Sequence, residues 1–148
     1  MLEQRITADI KAAMLARETG KLEALRSVKA AILLAKTEKG ASAELTAEAE
    51  LKLLQKLVKQ RRESAEIYAQ NARPELAEKE TFEANIIEVY LPKQMGEEEL
   101  VSELKKIVAQ VGATSVKDLG KVMGIASKAF AGKADGKAVA EAVKKLLA

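Results

Sequence analysis

Apolar residues recur every three or four positions through most of the chain, and this spacing constrains the fold more than any other feature. Leu22, Leu25, Val28, Ile32 and Ala35 form one such stripe, and Leu100, Leu104, Ile107, Val108 and Val111 form another. A period near 3.6 lines one face of an α-helix, whereas a half-buried strand alternates. Hydrophobic residues are 48% of the chain but aromatics only 3%, so the core is built from Leu, Ile, Val, Ala and Met. Ala and Leu favour helices, and the aromatic residues that favour strands are nearly absent. The expectation is an all-α protein. A chain of 148 residues buries about two-thirds of its unfolded surface, enough for one domain or two small ones.

The stripes place seven helices. The first is expected over residues 2–17, with Ile6, Ile10, Ala13, Met14 and Arg17 at helical spacing and Gly20 marking its exit. The second covers residues 21–39 and ends at Gly40, and residues 40–46 read as a loop. A long third helix runs over residues 46–71 on Leu54, Leu57, Val58, Ala65 and Tyr68, with Arg61 inside that stripe. Pro74 suits the first position of a fourth helix, where its missing N–H has no intrahelical partner anyway. That helix carries Leu76, Phe82, Ile86, Val89 and Tyr90 and stops at Leu91-Pro92. Residues 93–96 are a candidate linker between an N-terminal helical subdomain, 1–92, and a small C-terminal three-helix bundle, 97–148. The bundle's helices are expected over residues 97–111 (ended by Gly112), over 115–131 after a Ser115…Asp118 capping box, and from about Asp135 onward.

The residues that are missing exclude chemistry. There is no His and no Cys, which removes zinc-knuckle sites, thiol nucleophiles and the Ser-His-Asp triad. No disulfide can form, which suits a reducing compartment. No run of about 18 apolar residues is present, and the N-terminus lacks a charged segment followed by an apolar one. Cytoplasm is the expected location. Glu97, Glu98 and Glu99, and Glu78 and Glu80, sit at helix starts or on polar faces, so no catalytic residue, metal ligand or cofactor is assigned.

Charge is uneven. Residues 1–92 hold 15 basic and 15 acidic side chains, while from Leu104 onward there are 9 Lys and 3 acids. A basic C-terminal third favours an anionic partner. At about 100° per residue, Leu119, Val122, Met123, Ala126 and Phe130 cluster on one side of the helix over 115–131, and Lys117, Lys121 and Lys128 lie opposite, with Gly124 among them. A glycine there lets a phosphate backbone come close. Lys133 and Lys137 follow, the latter near a helix N-terminus that favours anions. On spacing alone a solvated face is the simpler reading of this row, and Gly124 is the feature that favours phosphate binding. Gly132-Lys133-Ala134-Asp135-Gly136 is a helix stop followed by a cap rather than a Walker A loop, because GxxxxGK[ST] is absent. In the first half, Lys59 and Arg62 form a secondary basic patch expected to be solvated, with RNA phosphate as its alternative partner. Arg61, inside the apolar stripe, needs a carboxylate or several carbonyl partners, and Glu83 and Glu88 are the candidate carboxylates.

Several segments, taken in order, resemble one family. They are Leu25-Arg26, Lys59-Gln60-Arg61-Arg62-Glu63-Ser64 with Tyr68, Arg73-Pro74-Glu75-Leu76-Ala77-Glu78-Lys79-Glu80, and Tyr90-Leu91-Pro92-Lys93-Gln94-Met95. Gly112-Ala113, Asp118-Leu119-Gly120-Lys121-Val122-Met123 and Gly132-Lys133-Ala134-Asp135-Gly136 complete the series. The order is similar to the YqeY family, free-standing relatives of the tail domain of GatB, the B subunit of the glutamine-dependent aspartyl/glutamyl-tRNA amidotransferase. The resemblance covers nearly the whole chain. It implies an all-helical protein with an N-terminal helical subdomain and a C-terminal three-helix subdomain. In GatB the tail helps to hold the tRNA body, and the transfer chemistry sits in a separate cradle domain, which is not expected within these 148 residues.

Two readings from different classes follow. One is a tRNA- or structured-RNA-binding accessory module, with Lys117, Lys121, Gly124, Lys128, Lys133 and Lys137 against phosphates. Scarce aromatics disfavour stacking on single strands, so shape and backbone contacts would dominate. The other is a component of carbon–nitrogen ligase activity, with glutamine as amido donor, that works only with a catalytic partner. A protein-interaction scaffold is the blander third option. Expected partners are tRNA and an aminoacyl-tRNA synthetase or amidotransferase component; neither a membrane nor DNA is expected.

Overall fold

A computed structural model of the chain describes residues 1–40 and 44–148. The protein is all-helical, with seven α-helices among the described residues. They are α1 (Leu2–Leu15), α2 (Thr19–Lys39), α3 (Ala47–Gln70), α4 (Pro74–Glu88), α5 (Glu97–Val111), α6 (Leu119–Ala129) and α7 (Gly136–Leu147), with a 3-10 turn at Val116–Asp118 before α6. Contacts divide the chain into two compact units, Met1–Leu91 and Pro92–Ala148.

In the first unit α1 and α2 form one hairpin and α3 and α4 another. Leu2, Ile6 and Ala13 of α1 meet Leu25, Val28 and Ile32 of α2, with Leu54 and Ile87 supplied by the second hairpin. Lys36 Nζ meets Glu3 Oε2 at 2.5 Å, tying the open end of the first hairpin. Thr46 caps α3 by accepting from the Ala49 N–H at 3.1 Å, and Pro74 occupies the first turn of α4. Of the loop expected over 40–46, residues 41–43 lie outside the described residues; Gly40 and residues 44–46 carry no regular structure.

Two expectations for this unit are corrected. Gly20 is not the exit of α1 but lies in the first turn of α2. The left-handed residue is Arg17, with φ 59, and the Glu18 N–H reaches back to Ala13 O at 3.0 Å while the Arg17 N–H reaches Met14 O at 3.2 Å. Ala72 ends α3 in the same way, with φ 57 and the Arg73 N–H on Tyr68 O at 2.8 Å. Both are Schellman turns closed without glycine. Finally, α4 buries Ala84 and Ile87, while Phe82 and Val89 stay 46% and 66% exposed. The helix ends at Glu88, and small Ala84 lets its inner face come close to its neighbours. Phe82 instead covers Gly20, where a Cβ would stand 3.1 Å from the ring.

The second unit packs α5, α6 and α7 around Leu104, Val122, Ala126, Val139 and Val143, with Phe130 and Leu147 at the edges. Three glutamates open α5, where the helix dipole favours negative charge. Gly112, at φ 73, ends it in the left-handed conformation.

Candidate nucleic-acid interface

The α6 region starts from Ser115. Its Oγ accepts from the Lys117 N–H at 3.3 Å, and the Asp118 carboxylate accepts from the Thr114 and Ser115 N–H groups at 3.0 and 3.4 Å. This is the capping box expected from the sequence. The Thr114 and Ser115 amides hold the Asp118 carboxyl below the usual carboxylate range, and the Lys121 ammonium adds to the effect.

The box does not open one helix running to residue 131. Asp118 N–H bonds Ser115 O at 2.9 Å, so the first turn is 3-10, and the α-helix proper begins at Leu119 and ends at Ala129. A 3-10 turn advances about 120° per residue rather than about 100°. Lys117 therefore lies in the 3-10 turn before α6 rather than on the α-helix itself. Lys121 and Lys128 remain on α6, seven residues apart, about 10 Å along its axis and near one line on its surface. Gly124 lies between them, exposed, and nothing stands within 4 Å of where its Cβ would be. Val122 and Ala126 on the other side are fully buried. The apolar stripe thus fixes the roll of α6 and leaves this lysine–glycine–lysine line open.

Lys133 lies in the turn after α6 and Lys137 in the first turn of α7. Asp135 holds the N-cap position of α7, but its side chain makes no cap hydrogen bond there. Lys117, Lys121, Lys128, Lys133 and Lys137 are all exposed.

The basic side chains of the first unit are used differently. Arg61 Nε meets Glu83 Oε2 at 3.2 Å, its Nη2 donates to Ser27 Oγ at 2.7 Å, and its Nη1 donates to Leu57 O at 3.3 Å. Of the two expected partners Glu83 is the one found. Glu88 goes instead to Arg62, which also donates to Asn85 Oδ1 at 3.1 Å. Arg62 is exposed, as expected, and makes these surface contacts with α4 because the short turn at residues 71–73 folds that helix back along α3. Lys59 is exposed and has a partner of its own. Lys21, Lys36, Lys52 and Lys79 also pair with glutamates. In the second unit Lys106 pairs with Glu103, and none of the salt bridges seen among the described residues involves the five lysines around α6.

Sequence reasoning missed the contacts that hold the Lys133 turn. Gln94 Nε2 donates to Gly132 O at 2.7 Å, and the Met95 N–H donates to Lys133 O at 2.9 Å. No periodic pattern announces a contact across 38 residues; a long-range signal linking the Pro92-Lys93-Gln94-Met95 and Gly132-Lys133 segments would have been needed. Among the described residues, no group of three or more His, Cys, Asp or Glu is arranged to hold a metal ion, and no helix is long and apolar enough to cross a membrane.

Comparison with known families matches residues 3–147 to the one described as Yqey-like protein. The search of curated proteins finds no match.

Proposed function

The chain belongs to the YqeY family, and we propose that it is a module that binds structured RNA, tRNA above all, through the open face of α6. The observation that carries this reading is the contrast in how the two units use their cations. Six basic groups of the first unit, Lys21, Lys36, Lys52, Arg61, Arg62 and Lys79, pair with glutamates, whereas Lys121 and Lys128 flank an open glycine and stand free of salt bridges among the described residues. Ammonium groups outside any salt bridge and beside an uncrowded backbone suit phosphates, which dominate nucleic-acid affinity. Two tyrosines and two phenylalanines in the whole chain leave little for base stacking, so contacts to backbone and shape are the fitting mode. The relation to the amidotransferase tail points the same way. In this reading the chain contributes binding, and any amide-transfer chemistry belongs to a catalytic partner.

The test is charge reversal. Lys121→Glu/Lys128→Glu should abolish binding of deacylated tRNA with an unchanged circular dichroism spectrum, and Arg62→Glu should leave binding near the wild-type level. Binding that survives the double reversal rejects the α6 assignment. Stable capture of a protein partner that ignores both salt and the reversal would favour the interaction-scaffold reading instead.

A further inference from the structure

Residues 93–96 do not behave as a free linker. Gln94 is half-buried, and its amide nitrogen donates both to Pro92 O at 2.8 Å and to Gly132 O at 2.7 Å. One residue on, the Met95 N–H donates to Lys133 O at 2.9 Å. The segment thus grips two consecutive carbonyls of the α6–α7 turn.

That turn needs a grip. Gly132 is buried and sits at φ 76, a conformation open to glycine and costly for other residues. Inside the turn, the Lys133 and Ala134 N–H groups both go to Phe130 O, at 2.9 and 3.3 Å. The Gly132 and Lys133 carbonyls point to residues 94 and 95 instead. A primary amide has two N–H donors, and Gln94 spends them on one neighbouring carbonyl and one distant one. It therefore couples the entry of this unit to the turn that displays Lys133 and leads into Lys137.

We infer that Gln94 is a positioning residue that holds the Lys133–Lys137 end of the basic face in register with Lys128. The inference rests on the RNA-binding reading and deepens it: Gln94 touches no phosphate itself, and its effect passes through the turn. Fixing cationic groups before the ligand arrives lowers the ordering cost of binding. Without the latch, Gly132 O turns to water, and the turn gains freedom that binding must remove.

The experiment is fluorescence anisotropy of deacylated tRNA with the full chain, comparing wild type, Gln94→Ala, Gln94→Glu, Lys133→Ala/Lys137→Ala, and Gln94→Ala in that double-lysine background. Gln94→Ala should weaken binding about fivefold, the worth of about one net hydrogen bond. It should also flatten the dependence of affinity on salt by about one phosphate contact. Gln94→Glu, of the same shape but without the donors, should weaken binding at least as much. In the double-lysine background Gln94→Ala should have no further effect.

Wild-type affinity in Gln94→Ala overturns the inference while leaving the RNA reading intact. A loss that persists undiminished without Lys133 and Lys137 also overturns it, because Gln94 would then act on the unit as a whole. No binding by wild type even at low salt overturns both.

Discussion

The Tyr90 hydroxyl donates a hydrogen bond to Asp9 Oδ2, joining the end of the first unit to its first helix across 81 residues of sequence. One turn away on α1, the Arg5 guanidinium lies over the same ring, 4.6 Å from its centroid. Tyr90→Phe keeps the ring and the cation above it and deletes only the bond to Asp9. The expected loss is about 1 kcal/mol, below the roughly 1.5–3 kcal/mol of a bond to a charged group because water reaches the site. Thermal unfolding followed by circular dichroism measures it, and for a unit of this size the shift should be about 4–8 °C.

The same group has an alkaline signature. Burial, then the bond to Asp9, push the Tyr90 hydroxyl above its ordinary value of 10.0, with Arg5 pulling weakly the other way. The folded state therefore favours the neutral phenol. Its contribution is complete below that ordinary value and is lost as pH rises through the raised one. Wild-type and Tyr90→Phe melting temperatures should converge as the pH is taken above about 10.

Ala72 should accept glycine with a gain in stability. At φ 57 it closes α3 in the left-handed region, where a Cβ crowds the backbone and costs about 1–2 kcal/mol. The greater freedom that glycine has in the unfolded chain offsets part of this. Ala72→Gly should raise stability by about 0.5–1 kcal/mol, read as a higher urea midpoint with an unchanged slope. A lower midpoint would mean that the Schellman turn is not what closes this helix.

Asp118 makes the start of α6 sensitive to acid. Amide donors from Thr114 and Ser115, helped by Lys121, lower its pKa below the ordinary 3.8. A depressed carboxylate stabilises the fold above its unfolded value, and the effect fades as pH falls through the folded value. The melting-temperature gap between wild type and Asp118→Asn should be widest near neutral pH and close as pH drops below 3.8.

Gly124 separates stability from function. Its Cβ position is open, and glycine inside a helix costs about 1 kcal/mol relative to alanine. Gly124→Ala should therefore stabilise the second unit by about that amount. Gly124→Leu should keep the fold yet weaken tRNA binding, since its side chain stands where the phosphate backbone would approach. Unimpaired binding in Gly124→Leu would return the glycine to a mere irregularity on a solvated face.

Much of this architecture was legible wherever a side chain's type sufficed. Gly112 and three opening glutamates bracketed α5, Thr46 and Pro74 marked the starts of α3 and α4, and Arg61 inside an apolar stripe called for the carboxylate that Glu83 supplies. Lys121, Gly124 and Lys128 followed from helical spacing alone. What was not legible depended on tertiary fit. Arg17 and Ala72 take a conformation that glycine usually signals. The face α4 buries is set by Ala84 and its neighbours rather than by its larger apolar residues. The 3-10 turn that carries Lys117 and the Gln94 latch are local and long-range hydrogen-bonding choices with no period to read.

The most direct measurement is the anisotropy of fluorescent bulk tRNA titrated with the full chain from low to near-physiological salt. Phosphate recognition by the α6 lysines predicts binding whose logarithm falls linearly with that of salt, by about 0.7–0.9 for each phosphate neutralised. It also predicts a shallower slope for Lys121→Gln/Lys128→Gln at unchanged melting temperature. Absence of binding at the lowest salt, or a slope that does not change when both lysines are neutralised, would contradict it.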